Sequence, residues 1–310
     1  MSRFLRRLFV FLLISIVPLC ITEVYGTHYL RSLNHYAVEP YADFMQQGPS
    51  KRGVNTLVMG TSRAWVQYNP AILDSILGTT TYNMGCNGRG LETCILKWQT
   101  YLQYKNPIPN LILYDIGLYG FTDENTAGYK REQFYPYMLH DRSIRHFVLK
   151  HHFCNVIEKY VPGIRYIGIR NFRIGKWDPT YNNNGFNSRN LHFNDTEFEQ
   201  FTYIKPLYDT SILTEFEHFL TQCNSMNIEV VLVHSPLYQP LYKMIDSTVM
   251  GGVFRDIANQ HDLLLLDYNV NPMCLDTIYF SDASHLNTLG AEYFSRLLAH
   301  DLDSLGIVQH

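Results

Sequence analysis

A chain of 310 residues, 46% hydrophobic and 17% charged, can bury a real core. That excludes disordered, collagenous and coiled-coil classes and leaves room for about two ordinary domains or one large α/β unit with an insertion. Twenty-five Lys and Arg against 28 Asp and Glu give a formal charge of −3, which offers no global attraction to phosphate backbones, so nucleic acid is not an expected partner.

The chain opens with Arg3, Arg6 and Arg7 ahead of an uncharged run from Leu8 to Thr22 that ends at Glu23. Basic residues before an apolar run hold an N-terminus in the cytoplasm. Residues 1–26 therefore read as a membrane-targeting segment, with the remainder of the chain expected on the extracytoplasmic side. Two outcomes fit: a retained signal-anchor, or a cleaved signal peptide with Val24-Tyr25-Gly26 as its small-residue site. The run of about 15 residues is shorter than the roughly 20 that span a bilayer comfortably, unless Arg6 and Arg7 snorkel. Residues 27–53 read as a polar juxtamembrane linker. Cys20 lies inside the apolar run, and Cys86, Cys94, Cys154, Cys223 and Cys274 contain no C-x-x-C pair. They predict neither a metal site nor a disulfide framework, and burial as small hydrophobes is the expectation.

From residue 54 onward, short apolar runs at 56–59, 79–84, 111–114, 230–233 and 263–266 alternate with helical patterns at 70–77, 91–104, 211–226 and 289–305. Continuous apolar runs of this length suit strands covered on both faces. The alternation predicts an α/β fold: a three-layer α/β/α arrangement around an open, mainly parallel five-stranded sheet, with ligands bound beyond the carboxyl ends of the strands. The interval 118–206 breaks the rhythm. It is too long for a structureless loop and reads as an inserted cap or lid, helical over 131–160 and then rich in Asn, Tyr and Arg.

Three short motifs fall at predicted strand exits or loops on the same edge of that sheet. At the end of the first run stands Gly60-Thr61-Ser62-Arg63, where a Gly admits a tight bend and the Ser hydroxyl is exposed at the ligand-binding edge. Arg63 has two readings, a ligand for an anionic substrate group or a partner for a carboxylate. The second run ends in Asn83-Met84-Gly85-Cys86-Asn87-Gly88, where Gly85 lets a backbone N–H approach a substrate oxygen and Asn87 adds a side-chain donor. An ordinary strand-to-helix turn is the alternative. Before the last helix comes Asp282-Ala283-Ser284-His285, in which the carboxylate can orient an imidazole that reaches a nucleophile, or Asp282 or Ser284 can cap the helix.

Gly60-Thr61-Ser62, Asn83-x-Gly85 and Asp282-x-x-His285, in that order, resemble the SGNH/GDSL hydrolase superfamily. The pattern is most similar to its membrane-anchored envelope members, such as the D-alanine transfer protein of teichoic acid synthesis and alginate O-acetylation proteins. The likeness runs from about residue 55 to the C-terminus, outside the insertion. It implies a flavodoxin-like catalytic domain over 54–310, with Ser62 as nucleophile, His285 as base and Asp282 as its orienter. It further implies oxyanion donors from the Ser62 and Gly85 amides, no cofactor and no metal. The superfamily's Gly-x-Asn-Asp block is replaced here by Asp115-Ile116-Gly117-Leu118-Tyr119-Gly120, with Tyr119 where the Asn donor would fall. Loss of one oxyanion donor typically costs about 10²–10³ in rate unless another group substitutes, and Asn87 or the Tyr119 hydroxyl are the candidates. The expected function is an exported serine esterase or O-acyltransferase. Its substrate would be an acylated small molecule or envelope polysaccharide, and polysaccharide-synthesis proteins are possible partners. A catalytically inactive scaffold or glycan-binding protein is the alternative.

Overall fold

The alternating apolar runs become five parallel strands in a computed structural model that describes residues 3–34, 53–88, 90–117, 120–121, 134–167, 184–194 and 208–308. In chain order the first elements are α1 (Arg3–Asn34), β1 (Thr56–Met59), α2 (Ser62–Gln67), α3 (Pro70–Leu77), β2 (Thr81–Asn83), α4 (Leu91–Gln103), β3 (Leu111–Asp115), α5 (Arg142–Lys150) and α6 (Val156–Tyr160). They are followed by α7 (Thr210–Ser225), β4 (Glu229–His234), α8 (Gln239–Met244), α9 (Ser247–His261), β5 (Leu264–Asp267), β6 (Phe280–Asp282), β7 (His285–Leu286) and α10 (Thr288–Ser304). The chain divides into two compact units, Met1–Asp43 with Thr126–Trp177, and Phe44–Asn125 with Asp178–His310.

In the larger unit the sheet order is β2-β1-β3-β4-β5, the doubly wound order of flavodoxin-like folds. Register is fixed by pairs such as Val58 with Asn83 and with Leu113, and Val233 with Leu266. Successive side chains on a strand point to opposite faces, so each strand feeds two cores. Leu57, Tyr82, Ile112 and Leu232 pack with Trp98 of α4 and Phe216 and Phe219 of α7, while Val58, Leu113, Val231 and Val233 pack with Leu73 of α3 and Phe294 and Leu298 of α10. With both faces covered, no polar alternation is needed, and the three expected layers result. The five cysteines beyond α1 are buried, as small hydrophobes should be.

Local chemistry sets the helix ends. The Asn69 side chain accepts from Ala71 N, Pro70 stands in the first turn, and Gly78 closes α3 in the left-handed conformation. Three helices, α2, α8 and α9, had no counterpart among the expected elements. Two of them have six residues each, and Gly251-Gly252 interrupts the apolar pattern of α9.

The smaller unit departs further from expectation. The helix α1 does not stop near Gly26 but continues through Asn34, taking the first eight residues of the anticipated linker into regular structure. Its stretch Arg3–Leu30 is long and apolar enough to cross a membrane. The single helix expected over 131–160 is instead two, α5 and α6. His152 adopts a left-handed φ of 53° after α5, and Asn155 starts α6 afresh with a capping box, its side chain accepting from Glu158 N while Glu158 accepts from Asn155 N. Residues 122–133, 168–183 and 195–207 of the anticipated insertion lie outside the described residues.

Candidate active site

Beyond the carboxyl end of β1, Gly60 turns the chain with φ 136°, a conformation that residues with a side chain rarely adopt. Thr61 is the N-cap of α2, and Ser62, half-buried, is the first residue of the helix. First-turn amides have no intrahelical carbonyl to bond, so the Ser62 N–H is left for another acceptor. The remaining residues of α2 are buried, which fixes the turn against the sheet.

Asp282 and His285 face each other across the two-stranded hairpin β6–β7, with Ala283 and Ser284 as its turn. The Asp282 Oδ1 atom accepts from Ser284 N and His285 N, both at 2.9 Å, and from Ser284 Oγ at 3.0 Å. The carboxylate is thereby oriented by its own turn before it meets the ring. Its two oxygens lie 2.8 and 2.9 Å from His285 Nδ1, and His285 Nε2 lies 2.7 Å from Ser62 Oγ. A neutral ring in this position keeps its proton on Nδ1 and leaves Nε2 to accept from the Ser62 hydroxyl. Burial alone would push the Asp282 carboxyl up, but the hydrogen bonds and charge of His285, with the bonds from Ser284, outweigh it and hold the group down at about 2. The capping alternative for this motif fails, because α10 is capped by Asn287, whose side chain accepts from Gly290 N at 3.0 Å.

One partner of the carboxylate had no sequence signal beyond being an Arg in an Asn-rich stretch. Arg189 Nη1 lies 3.0 Å from Asp282 Oδ2, with both side chains largely shielded. Arg189 belongs to the segment 184–194, which is laced along the site. Asn184 O accepts from Asn83 N at 2.7 Å, Asn187 N donates to Trp65 O at 3.0 Å, Arg189 O accepts from Thr288 N at 2.9 Å, and Asn194 N donates to Ser281 O at 3.2 Å. This part of the anticipated lid is therefore a strap bonded in turn to the exit of β2, to α2 and to the hairpin.

The β2 exit does not behave as expected. The Gly85 N–H donates to Asn83 Oδ1 at 2.9 Å, so this amide is committed within the protein instead of standing free as an oxyanion donor. Asn83 also donates from Nδ2 to Ala64 O at 2.7 Å and Tyr68 O at 3.0 Å, stapling the strand end to α2. Gly85 packs so closely on that helix that a Cβ would collide with the backbone of Trp65. Lys97, buried on α4, donates from Nζ to the carbonyls of Gly85 at 3.1 Å and Met84 at 3.4 Å. Asn87 stands half-buried two residues further on. Tyr119 lies outside the described residues.

Arg63 settles on the carboxylate reading and is not available to a substrate. It is buried under α2, where Nη2 and Nε lie 2.7 and 3.2 Å from Ser235 Oγ, Nη2 also donates to Ser235 O, and Nε is 3.8 Å from Asp115 Oδ1. Asp115 Oδ2 accepts from Tyr68 Oη at 2.7 Å, and burial together with that carboxylate pushes the Tyr68 phenol well above its ordinary range. His234 joins the same interior cluster, with Nδ1 3.3 Å from Asp267 Oδ1. Burial pulls its pKa below the usual imidazole value, so the ring is neutral here. The guanidinium thus ties α2 to the ends of β3 and β4.

No protein-family model and no curated protein matches the chain. Among solved structures, it is similar to a protein from Streptococcus pneumonia assigned as a platelet activating factor, at 14% identity and a TM-score of 0.41 over 98% of this chain and 99% of that one. It is also similar to an acetyl xylan esterase, AlAXEase, at 12% identity and a TM-score of 0.37 over 81% of this chain and 99% of that one.

Proposed function

We propose that the chain is a membrane-anchored serine esterase or O-acyltransferase of the SGNH type, acting on acylated hydroxyl groups of an envelope glycan on the extracytoplasmic side. The observation that carries the reading is the unbroken line of contacts from Ser62 Oγ through His285 to Asp282. In the reaction, Ser62 Oγ attacks the ester carbonyl while its proton passes to His285 Nε2, and the imidazolium so formed is stabilised by Asp282. The tetrahedral intermediate collapses to an acyl-Ser62 ester as the alcohol leaves with that proton. Water or a second hydroxyl then attacks the acyl carbon as its proton passes to His285 Nε2, and His285 returns that proton to Ser62 Oγ as the Ser62 ester bond breaks and the acyl group leaves on the new oxygen. The Ser62 amide is one oxyanion donor, and Asn87 is proposed as another in place of Gly85.

Replacing Ser62 by Ala should abolish both turnover of a chromogenic acetate ester and labelling by a fluorophosphonate probe. A variant that still labels overturns the assignment. Incubating the full chain with acetylated and unacetylated envelope glycans, and following the acyl group by mass spectrometry, separates hydrolysis from transfer. The commitment of the Gly85 amide to Asn83 favours a second reading, a glycan-binding scaffold of low turnover. Binding of glycan by wild type and Ser62→Ala alike, with no labelling of either, identifies that case.

A further inference from the structure

The smaller unit is built around the end of α1 that lies beyond its apolar run. Glu23, the residue that ends the run, forms an ion pair with Arg165, the two side chains 13% and 1% exposed, and accepts from Gly163 N at 2.9 Å. The Tyr166 ring covers Gly26, and its hydroxyl lies 2.7 Å from Thr27 Oγ1. Cleavage near Gly26 would strip Glu23 from a buried guanidinium, a strongly destabilising loss, so α1 is read as retained.

These contacts also set a depth. Gly163 is packed directly against the Leu19 carbonyl, inside the apolar run and four residues before Glu23, about 6 Å along the helix axis. The 15 uncharged residues cover only about 22 Å of a hydrocarbon layer about 30 Å thick, so Leu19 cannot stand far outside it. Whatever is attached at Gly163 is therefore carried at the level of the headgroup and upper acyl region. The attached elements are apolar on the outside. No residue of α6 is buried; Val156 is 71%, Ile157 59% and Tyr160 69% exposed, and Ile167 just past Tyr166 is 64% exposed. Arg165 Nη1 reaches Glu158 O at 3.5 Å, which ties α6 to the same ion pair.

We propose that Val156, Ile157, Tyr160 and Ile167 form a second membrane contact, a short face seated in the headgroup–acyl boundary beside the point where α1 leaves the bilayer. The occupant is the phospholipid surface itself. Lys159 Nζ, 4.6 Å from the Tyr160 ring, places a cation and an aromatic together as interfacial segments do. The inference rests on α1 crossing the membrane and not on the chemistry at Ser62.

The test uses the full chain in nanodiscs of phosphatidylcholine and phosphatidylglycerol, with Val156→Trp and Ile157→Trp made separately. Wild type supplies the background from Trp65, Trp98 and Trp177. Each added Trp should emit at shorter wavelength than in water and lose its emission to lipid brominated near the glycerol end of the acyl chains. If the chain is held in the nanodisc but neither added Trp is quenched, the interfacial face is refuted while the anchor stands. If the chain does not enter the nanodisc at all, the span is refuted and the proposal with it.

Discussion

With the Arg189 guanidinium removed, Asp282 Oδ2 keeps only the His285 contact among the described residues, and the carboxylate loses a charge-assisted bond that fixes its rotation. Such a bond contributes about 1.5–3 kcal/mol, and about half of that reaching the transition state through Asp282 should lower kcat of Arg189→Gln by up to about tenfold. The KM should barely change, because Arg189 acts through Asp282 and not on substrate, and Arg189→Lys should recover part of the loss. Steady-state kinetics on the three proteins checks this; an equal rise in KM would point to a substrate contact instead. His234 makes a separate prediction. Its imidazole is held neutral by burial, whereas an unfolded chain takes up a proton below about pH 6.5. The unfolded state therefore binds more protons as pH falls, and stability drops below about pH 6.5. The unfolding midpoint should fall between about pH 7.5 and about pH 5.5, and fall less in His234→Gln, when thermal melts of the two are compared.

Among the elements, the exit of β2 and the start of α2 behave as one rigid corner. Asn83 bonds the Gly85 amide on one side and the carbonyls of Ala64 in α2 and of Tyr68 just past its end on the other, and Gly85 lies against the Trp65 backbone, which cannot move aside as a flexible side chain could. Gly85→Ala should therefore cost about 1–3 kcal/mol of stability, measured by denaturant unfolding, and displace Ser62 enough to depress turnover. Much of this level was legible beforehand. The strand 56–59 and the helix 70–77 fall where the apolar run and the helical pattern put them, because those patterns are local. The hairpin β6–β7 and the short α2 were not, since neither carries a periodic pattern. Distance in sequence hid the rest: Asp282 and His285 are three residues apart and could be paired by eye, whereas Arg189 sits 93 residues from Asp282, and Arg63 meets Ser235 across 172. Nothing in the neighbourhood of Arg63 distinguishes an arginine that faces substrate from one folded under the helix.

At the scale of the whole molecule, composition and charge predicted a chain able to bury a core, and both faces of the sheet bear that out, whereas the smaller unit was only half anticipated. An apolar run announces itself by hydropathy, but the helix continues past Glu23 because Arg165, Gly163 and Tyr166 receive it, and those partners lie about 140 residues downstream. The hydrogen bond between Ser62 and His285 spans a still longer interval, 223 residues. Ser62 is made early, at the start of α2 just after the first strand, yet His285 arrives on a hairpin held to the sheet by Phe280 and Leu286 only after four further strands exist. Until that hairpin is in place Ser62 has no imidazole beside it and is an ordinary alcohol. On the proposed reading, reactivity is acquired in a single late event, and Ser62 cannot attack esters until the chain has been made through β7 and has folded.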